Sequence, residues 1–350
     1  MRRRAVLFVA GALIALAAPA PTASGAERTR FDTDVFALIP TPGFPARAYV
    51  APNRRVYEGT YTNPNGDTVP SRVFEYAPTG ALLRSWTIAG QDLAADHGVQ
   101  VATSDSCGRL VLLDKAPARV LTLNPRNGRQ RTWATFPSDA VPNYAAWGRH
   151  GELYVTDYIH ATIWRVPPGG GVAAVWLKDP QLDGLEFGTT GIVLTDDRRH
   201  LLVSQQSTAG GGGGNPSTGK IYEIEIAAGG DPGAIRTLWE SQPFDAPDGF
   251  AVDVEGRIYV TLLLANQIAV IAPGGLELER FPDGSGSGEN GSAVPFDNPS
   301  SAMFLGRRLI VANQAYLSGD TTHQAILDTW IGVRGAPEFI PRRAGRKPHH

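Results

Sequence analysis

The sequence predicts an all-β chain folded as a six-bladed β-propeller, and three observations carry that expectation. A corner followed by strands recurs six times, at Pro45-Ala46-Arg47, Asp96-His97-Gly98, Pro142-Asn143-Tyr144, Thr189-Thr190-Gly191, Pro247-Asp248-Gly249 and Pro299-Ser300-Ser301. The corners begin at 45, 96, 142, 189, 247 and 299, so successive starts lie 51, 46, 47, 58 and 52 residues apart. A period near fifty with several short strands per unit is the signature of a propeller blade. The last unit lacks an outer strand, while the chain begins with an unattached one, DVFALIP at 34–40. A first strand that completes the last blade closes the ring and leaves no free edge.

In chain order, residues 1–26 read as a signal peptide. Arg2-Arg3-Arg4 is a positive start, 5–18 is an apolar run too short to span a bilayer comfortably, and 19–26 is rich in small residues and Pro. The adjacent arginines raise a twin-arginine route, and a retained anchor is the competing reading. The expectation is cleavage near Ala26 and export. The propeller is expected over 31–341, with a basic, solvated tail at 342–350.

Each unit after its corner holds a strand rich in β-formers: Arg55–Tyr61, Arg109–Asp114, Glu152–Asp157, His200–Gln205, Arg257–Leu262 and Arg308–Asn313. A second strand follows in every unit, from Arg72, Arg119, Thr162, Lys220, Gln267 and Ala325. A third follows five of them around a bulky residue, Trp86, Trp133, Trp176, Trp239 or Phe281, read as blade packing rather than a carbohydrate platform. Two insertions interrupt the pattern, 207–219 with glycines at 210–214, and 283–295. Both read as linkers or as lids over a central pocket. The second contains Gly286-x-Gly288-x-x-Gly291, which carries no dinucleotide meaning without a surrounding βαβ unit.

The chain has 32 Lys and Arg against 34 Asp and Glu, a net charge of −2. Removing three arginines and no acids with 1–26 takes the charge to −5. Without a basic patch on the folded part, nucleic acid is not an implied partner. No second apolar span implies stable membrane insertion. The length suits one propeller and no second domain, and a monomer is expected. Cys107 is the single cysteine, so an internal disulfide is excluded and stability must come from blade interfaces and ring closure. No nucleophile-elbow, paired-cysteine or His-Glu-x-x-His motif is present.

In a propeller the corner before each inner strand points at one mouth of the central channel. That places Ala46, His97, Asn143, Thr190, Asp248 and Ser300 around the axis. Five of these six can act as ligands, acids, bases or hydrogen-bond partners, although such residues also cap turns. Histidine in solution changes charge near neutral pH, so His97 suits a general base, or else it donates to a blade carbonyl. Tyr144, Trp147, Tyr158 and His160 are expected near the channel or its rim.

These corners, with the strands Glu152–Asp157 and Gly256–Thr261 and the six-fold spacing, resemble the senescence-marker-protein/gluconolactonase/luciferin-regenerating-enzyme-like superfamily. Its wider relatives include diisopropylfluorophosphatase, paraoxonase and strictosidine synthase. The resemblance covers essentially the whole chain after residue 26, but its motifs separate activities poorly. It implies a divalent cation, usually calcium, held by a Glu of blade one, an Asn of blade three, an Asn of blade four and an Asp of blade five. Asn143 and Asp248 match; Thr190 stands at the blade-four position and Ala46, without a ligand atom, at the blade-one position. Glu58, Asp96 or Glu186 would have to supply the missing carboxylate. The implied function is metal-assisted hydrolysis of a lactone or related ester, a small-molecule substrate. Asp248 and His97 would be the catalytic groups, and Arg47, Tyr144 and Ser300 would contact substrate. The alternative is a metal-free ligand-binding or strictosidine-synthase-like propeller, with Arg47 replacing the metal's charge.

Overall fold

The computed structural model describes residues 27–41, 44–61, 68–185, 187–208, 215 and 217–346. These form six antiparallel blades of four strands, five of them in simple sequence order. Blades one to five span 44–87, 99–135, 142–178, 189–240 and 247–281; blade six runs over 299–330. The strand Thr33–Leu38 completes blade six, pairing with Ala325–Trp330 so that Thr33 lies opposite Thr329 and Leu38 opposite Ala325. Every inner strand touches the inner strands of both neighbouring blades, and that of blade six touches that of blade one. The expected closed ring is therefore present. Blade two has one addition, the two-residue strand Gly171–Val172, which runs parallel to its outer strand. The expected signal segment 1–26, Glu186 and the glycines at 210–214 lie outside the described residues. Among the described residues no helix is long and apolar enough to cross a membrane.

The core explains why the inner strands are not strictly alternating in polarity. Val99–Ser104 and Pro142–Trp147 are buried at every position, because one face meets the next blade and the other the previous one. Six apolar clusters result, one between each pair of adjacent blades. The outer-strand tryptophans sit in these seams: Trp176 packs edge-on to Tyr154 at 4.8 Å and Trp133 to Trp147 at 5.6 Å. Their burial makes them packing residues, as expected. Glycine is required where one blade's turn touches its neighbour: Gly80 has φ 87°, and a Cβ there would lie 2.0 Å from the Phe36 carbonyl oxygen.

Of the tail expected at 342–350, Arg342, Arg343 and Arg346 are exposed, Ala344 is buried, and 347–350 lie outside the described residues. After Trp330 the chain crosses the face opposite the corners as a strap. It is tied at blades five and six by Val254 N–H to Arg334 O (3.0 Å), Gly335 N–H to Gly306 O (3.0 Å) and Ala336 N–H to Val252 O (2.9 Å). Arg198 then stacks on Phe339 at 4.3 Å. Ala344 is fully buried in the seam of blades two and three, and the Arg109 guanidinium donates to Gly345 O (3.1 Å). Apolar anchors at Phe339 and Ala344 hold it down.

Candidate active site

The corner residues reach the channel because the inner strands bulge. Register shifts fall at 142–145, 189–192, 247–250 and 299–301, and in blade one at 45–47. A bulge leaves residues unpaired and re-aims their side chains, as commonly happens beside active sites. Asn143, Thr190, Asp248 and Ser300 occupy these positions, and Ala46 is the equivalent residue of blade one.

Blade two corrects the expected ring. Its pair Val99–Asp114 is the counterpart of Pro142–Asp157 and Thr189–Gln205. The next residue, Gln100, therefore takes the place assigned to His97. Gln100 donates through Nε2 to Asn143 Oδ1 at 2.6 Å and also to the Tyr61 hydroxyl. His97 lies before the strand, buried, with Nε2 2.8 Å from Val69 O and Nδ1 3.2 Å from Ala95 O. Its ring ties loops of blades one and two together.

Asp248 is the chemical centre of the mouth. Burial pushes its carboxyl up to about 8, and the neighbouring Gln206, Thr190, Gly249 amide and Tyr144 pull it back only in part. Its Oδ1 is buried without a hydrogen-bond partner. Thr190 Oγ1 is 2.8 Å from Ser204 Oγ, which donates to Asp248 O at 2.7 Å, so the blade-four hydroxyls hold the corner's backbone. Gln206 accepts from the Tyr158 hydroxyl at 2.9 Å, leaving its buried Nε2 without a well-formed bond. Neither Gln100 nor Gln206 was expected from the sequence.

Tyr144 partitions the channel. From blade three its hydroxyl crosses to blade six and donates to Ser300 O at 2.8 Å. Gly249 has to be glycine, because a Cβ would fall 2.4 Å from that hydroxyl. Ser300 thus contributes its carbonyl, while its hydroxyl faces Ala312 O at 3.5 Å. The Arg47 guanidinium stacks under Tyr144, 4.6 Å from the ring centre, and lines the opposite end of the channel. It was expected beside the corner mouth. Tyr158 does lie at the rim, stacked on Phe187 at 4.6 Å, and Tyr61 and Tyr316 pack around Phe44. Burial and the Asp248 charge push the hydroxyls of Tyr144 and Tyr158 well up. Trp147 is at the far end of its strand, donating to Ser104 O (2.9 Å), and His160 pairs with Asp157 (2.9 Å).

The oxygens at the mouth offer one carboxylate, Asp248, with the amides of Asn143 and Gln100 and the hydroxyl of Thr190. Two of them, Asp248 Oδ1 and Gln100 Oε1, are buried acceptors without a donor, which a cation would satisfy. Of the expected second carboxylates, Glu58 is buried with Oε1 accepting from Arg47 N–H at 2.9 Å, Asp96 points outward to Lys115, and Glu186 lies outside the described residues. Among the described residues no cluster of three or more His, Cys, Asp or Glu is placed to hold a metal. The donor set therefore fits a weak divalent-cation site, since affinity follows carboxylate count.

No family model matches the chain, nor does any curated protein sequence. Solved structures do match. A gluconolactonase from Xanthomonas campestris superimposes with a TM-score of 0.57 at 17% identity, over 83% of this chain and 87% of that one. The calcium-binding protein regucalcin from Agrobacterium tumefaciens gives 0.59 at 14% identity, over 88% and 98%. This chain has their fold. A virginiamycin B lyase from Staphylococcus aureus is similar at 0.51 and 14% identity, over 82% and 95%. The six-bladed architecture and its likeness to the gluconolactonase and regucalcin propellers stand as expected.

Proposed function

We propose that the chain is an exported hydrolase of lactones or related esters, working at the corner mouth of its channel on a small-molecule substrate. The observation that carries the reading is Asp248, a buried carboxyl with a free oxygen and an affinity for protons raised to about 8. A base works best when its pKa lies near the operating pH. Asp248 Oδ1 takes a proton from water while the water oxygen adds to the substrate carbonyl. The buried Gln206 Nε2, which sits beside the Asp248 carboxyl, is the nearest donor for the developing oxyanion. Collapse breaks the ring C–O bond, and the proton passes from Asp248 to the leaving alkoxide, yielding a hydroxy acid. The rim aromatics Tyr61, Tyr158 and Phe187 shape the entrance. A divalent cation held by Asp248, Asn143, Gln100 and Thr190 would supply Lewis-acid polarisation of the carbonyl. The gluconolactonase likeness supports this chemistry over a non-catalytic propeller. The test is hydrolysis of γ- and δ-lactones and aryl esters with calcium and with chelator. Turnover that Asp248→Asn abolishes supports the proposal; no turnover of any of these, or turnover unaffected by the substitution, overturns it.

A further inference from the structure

The other end of the channel holds a cavity of about 910 Å3 that this chemistry leaves unused. Its walls are the far ends of the inner strands, including Trp147, Leu194, Phe250 and Val252, together with the strap from Arg334 to Phe339. Tyr144 separates it from Asp248. At its inner end stands Arg47, whose Nη1 is buried without a hydrogen-bond partner. No carboxylate among the described residues lies within ion-pair distance of that guanidinium, which cannot lose its proton. Arg47 is half-buried, and its unpartnered buried Nη1 is a feature that an anion would satisfy.

The charges around the cavity point the same way. Five arginines line it, Arg47, Arg54, Arg307, Arg308 and Arg334, against Asp196, Glu223 and Glu338. Arg308 is paired with Asp328, and Glu223 with Arg236, both partners lying outside the lining. Four arginines then remain against two acids, in a chain whose net charge is −2. Glu338 feels the Arg47 charge but forms no ion pair with it. Its carboxyl accepts from the Tyr49 hydroxyl at 3.1 Å, and burial raises its affinity for protons despite Arg47. Apolar inner walls leading to an unpartnered guanidinium at the inner end match an amphipathic acid.

We propose that this cavity is a second binding site, separate from the hydrolytic mouth, for a small apolar carboxylate. The carboxylate sits on Arg47, a geometry guanidinium groups favour, and the hydrocarbon portion lies against Trp147, Leu194, Phe250 and Val252 under the strap. The strap is one wall of the site, so the ligand bridges it to the blades.

The test is calorimetric titration of the purified protein with octanoate and with octanol, its uncharged counterpart. The expected result is one-to-one binding of octanoate at least about tenfold tighter than octanol, the scale of one charge-assisted pair. Arg47→Gln should remove that advantage and leave octanol binding alone. Asp248→Asn should leave octanoate binding unchanged, which keeps this site distinct from the mouth. Equal affinities for the two ligands in the wild-type protein would overturn the proposal even if Arg47→Gln does not fold. So would no octanoate binding, octanoate binding unchanged by Arg47→Gln, or octanoate binding lost in Asp248→Asn.

Discussion

Asp248→Asn should change how stability depends on pH, and the size of the change follows from burial. In the folded chain the carboxyl holds its proton until about pH 8, whereas in the unfolded chain it releases it near 3.8. Between those values the native state binds more protons than the unfolded state, so wild-type stability falls as pH rises. One proton corresponds to about 1.4 kcal/mol per pH unit, or about 5–6 kcal/mol across the whole window. Asparagine has nearly the same shape and does not titrate. The stability of the variant minus that of the wild type should therefore rise by about 4 kcal/mol between pH 5 and pH 8, then level off. Urea unfolding followed by tryptophan fluorescence, with chelator present, measures this difference. Other titrating groups are common to both proteins and cancel. A difference that stays flat over pH 5–9 would refute the claim that Asp248 is desolvated and uncompensated.

Gly249→Ala should cost about 1–3 kcal/mol in the same assay, because the new methyl overlaps the Tyr144 hydroxyl at 2.4 Å and Ser300 O at 2.9 Å. Phe36→Ala removes a buried ring from the closing strand, where it packs edge-on to Tyr76 at 6.3 Å. It should lower stability by about 3–5 kcal/mol. Calcium binding at pH 7 should release nearly one proton per ion, since the ion displaces the proton that Asp248 otherwise keeps. Calorimetry in buffers of different ionisation enthalpy counts it.

Much of the fold was legible because blade repetition is written in turn and strand chemistry, and because 34–40 had no partner of its own except the incomplete sixth blade. The mouth was harder to read. Asp96-His97-Gly98 imitates Pro247-Asp248-Gly249 closely enough to draw the corner of blade two three residues too early. Spacing holds the missed signal: Gln100 precedes Leu110 by ten residues, as Asn143 precedes Leu153 and Asp248 precedes Ile258. Arg47 follows its corner and was assigned to the same mouth. Its direction depends on stacking against Tyr144 from the facing side of the ring, a contact between residues far apart in sequence. The strap was hidden for a related reason. Basic residues dominate the composition of 342–350, and the one small apolar residue that seats there, Ala344, gives no sequence signal.

The most direct test of the account is the pH dependence of kcat/KM for a lactone that the protein hydrolyses, measured with chelator present. If Asp248 is the base, the wild-type profile should climb with unit slope and bend near pH 8, and Asp248→Asn should lose the climb together with the activity. A profile that bends near pH 4, or an Asp248→Asn enzyme with the wild-type profile, would place the chemistry elsewhere.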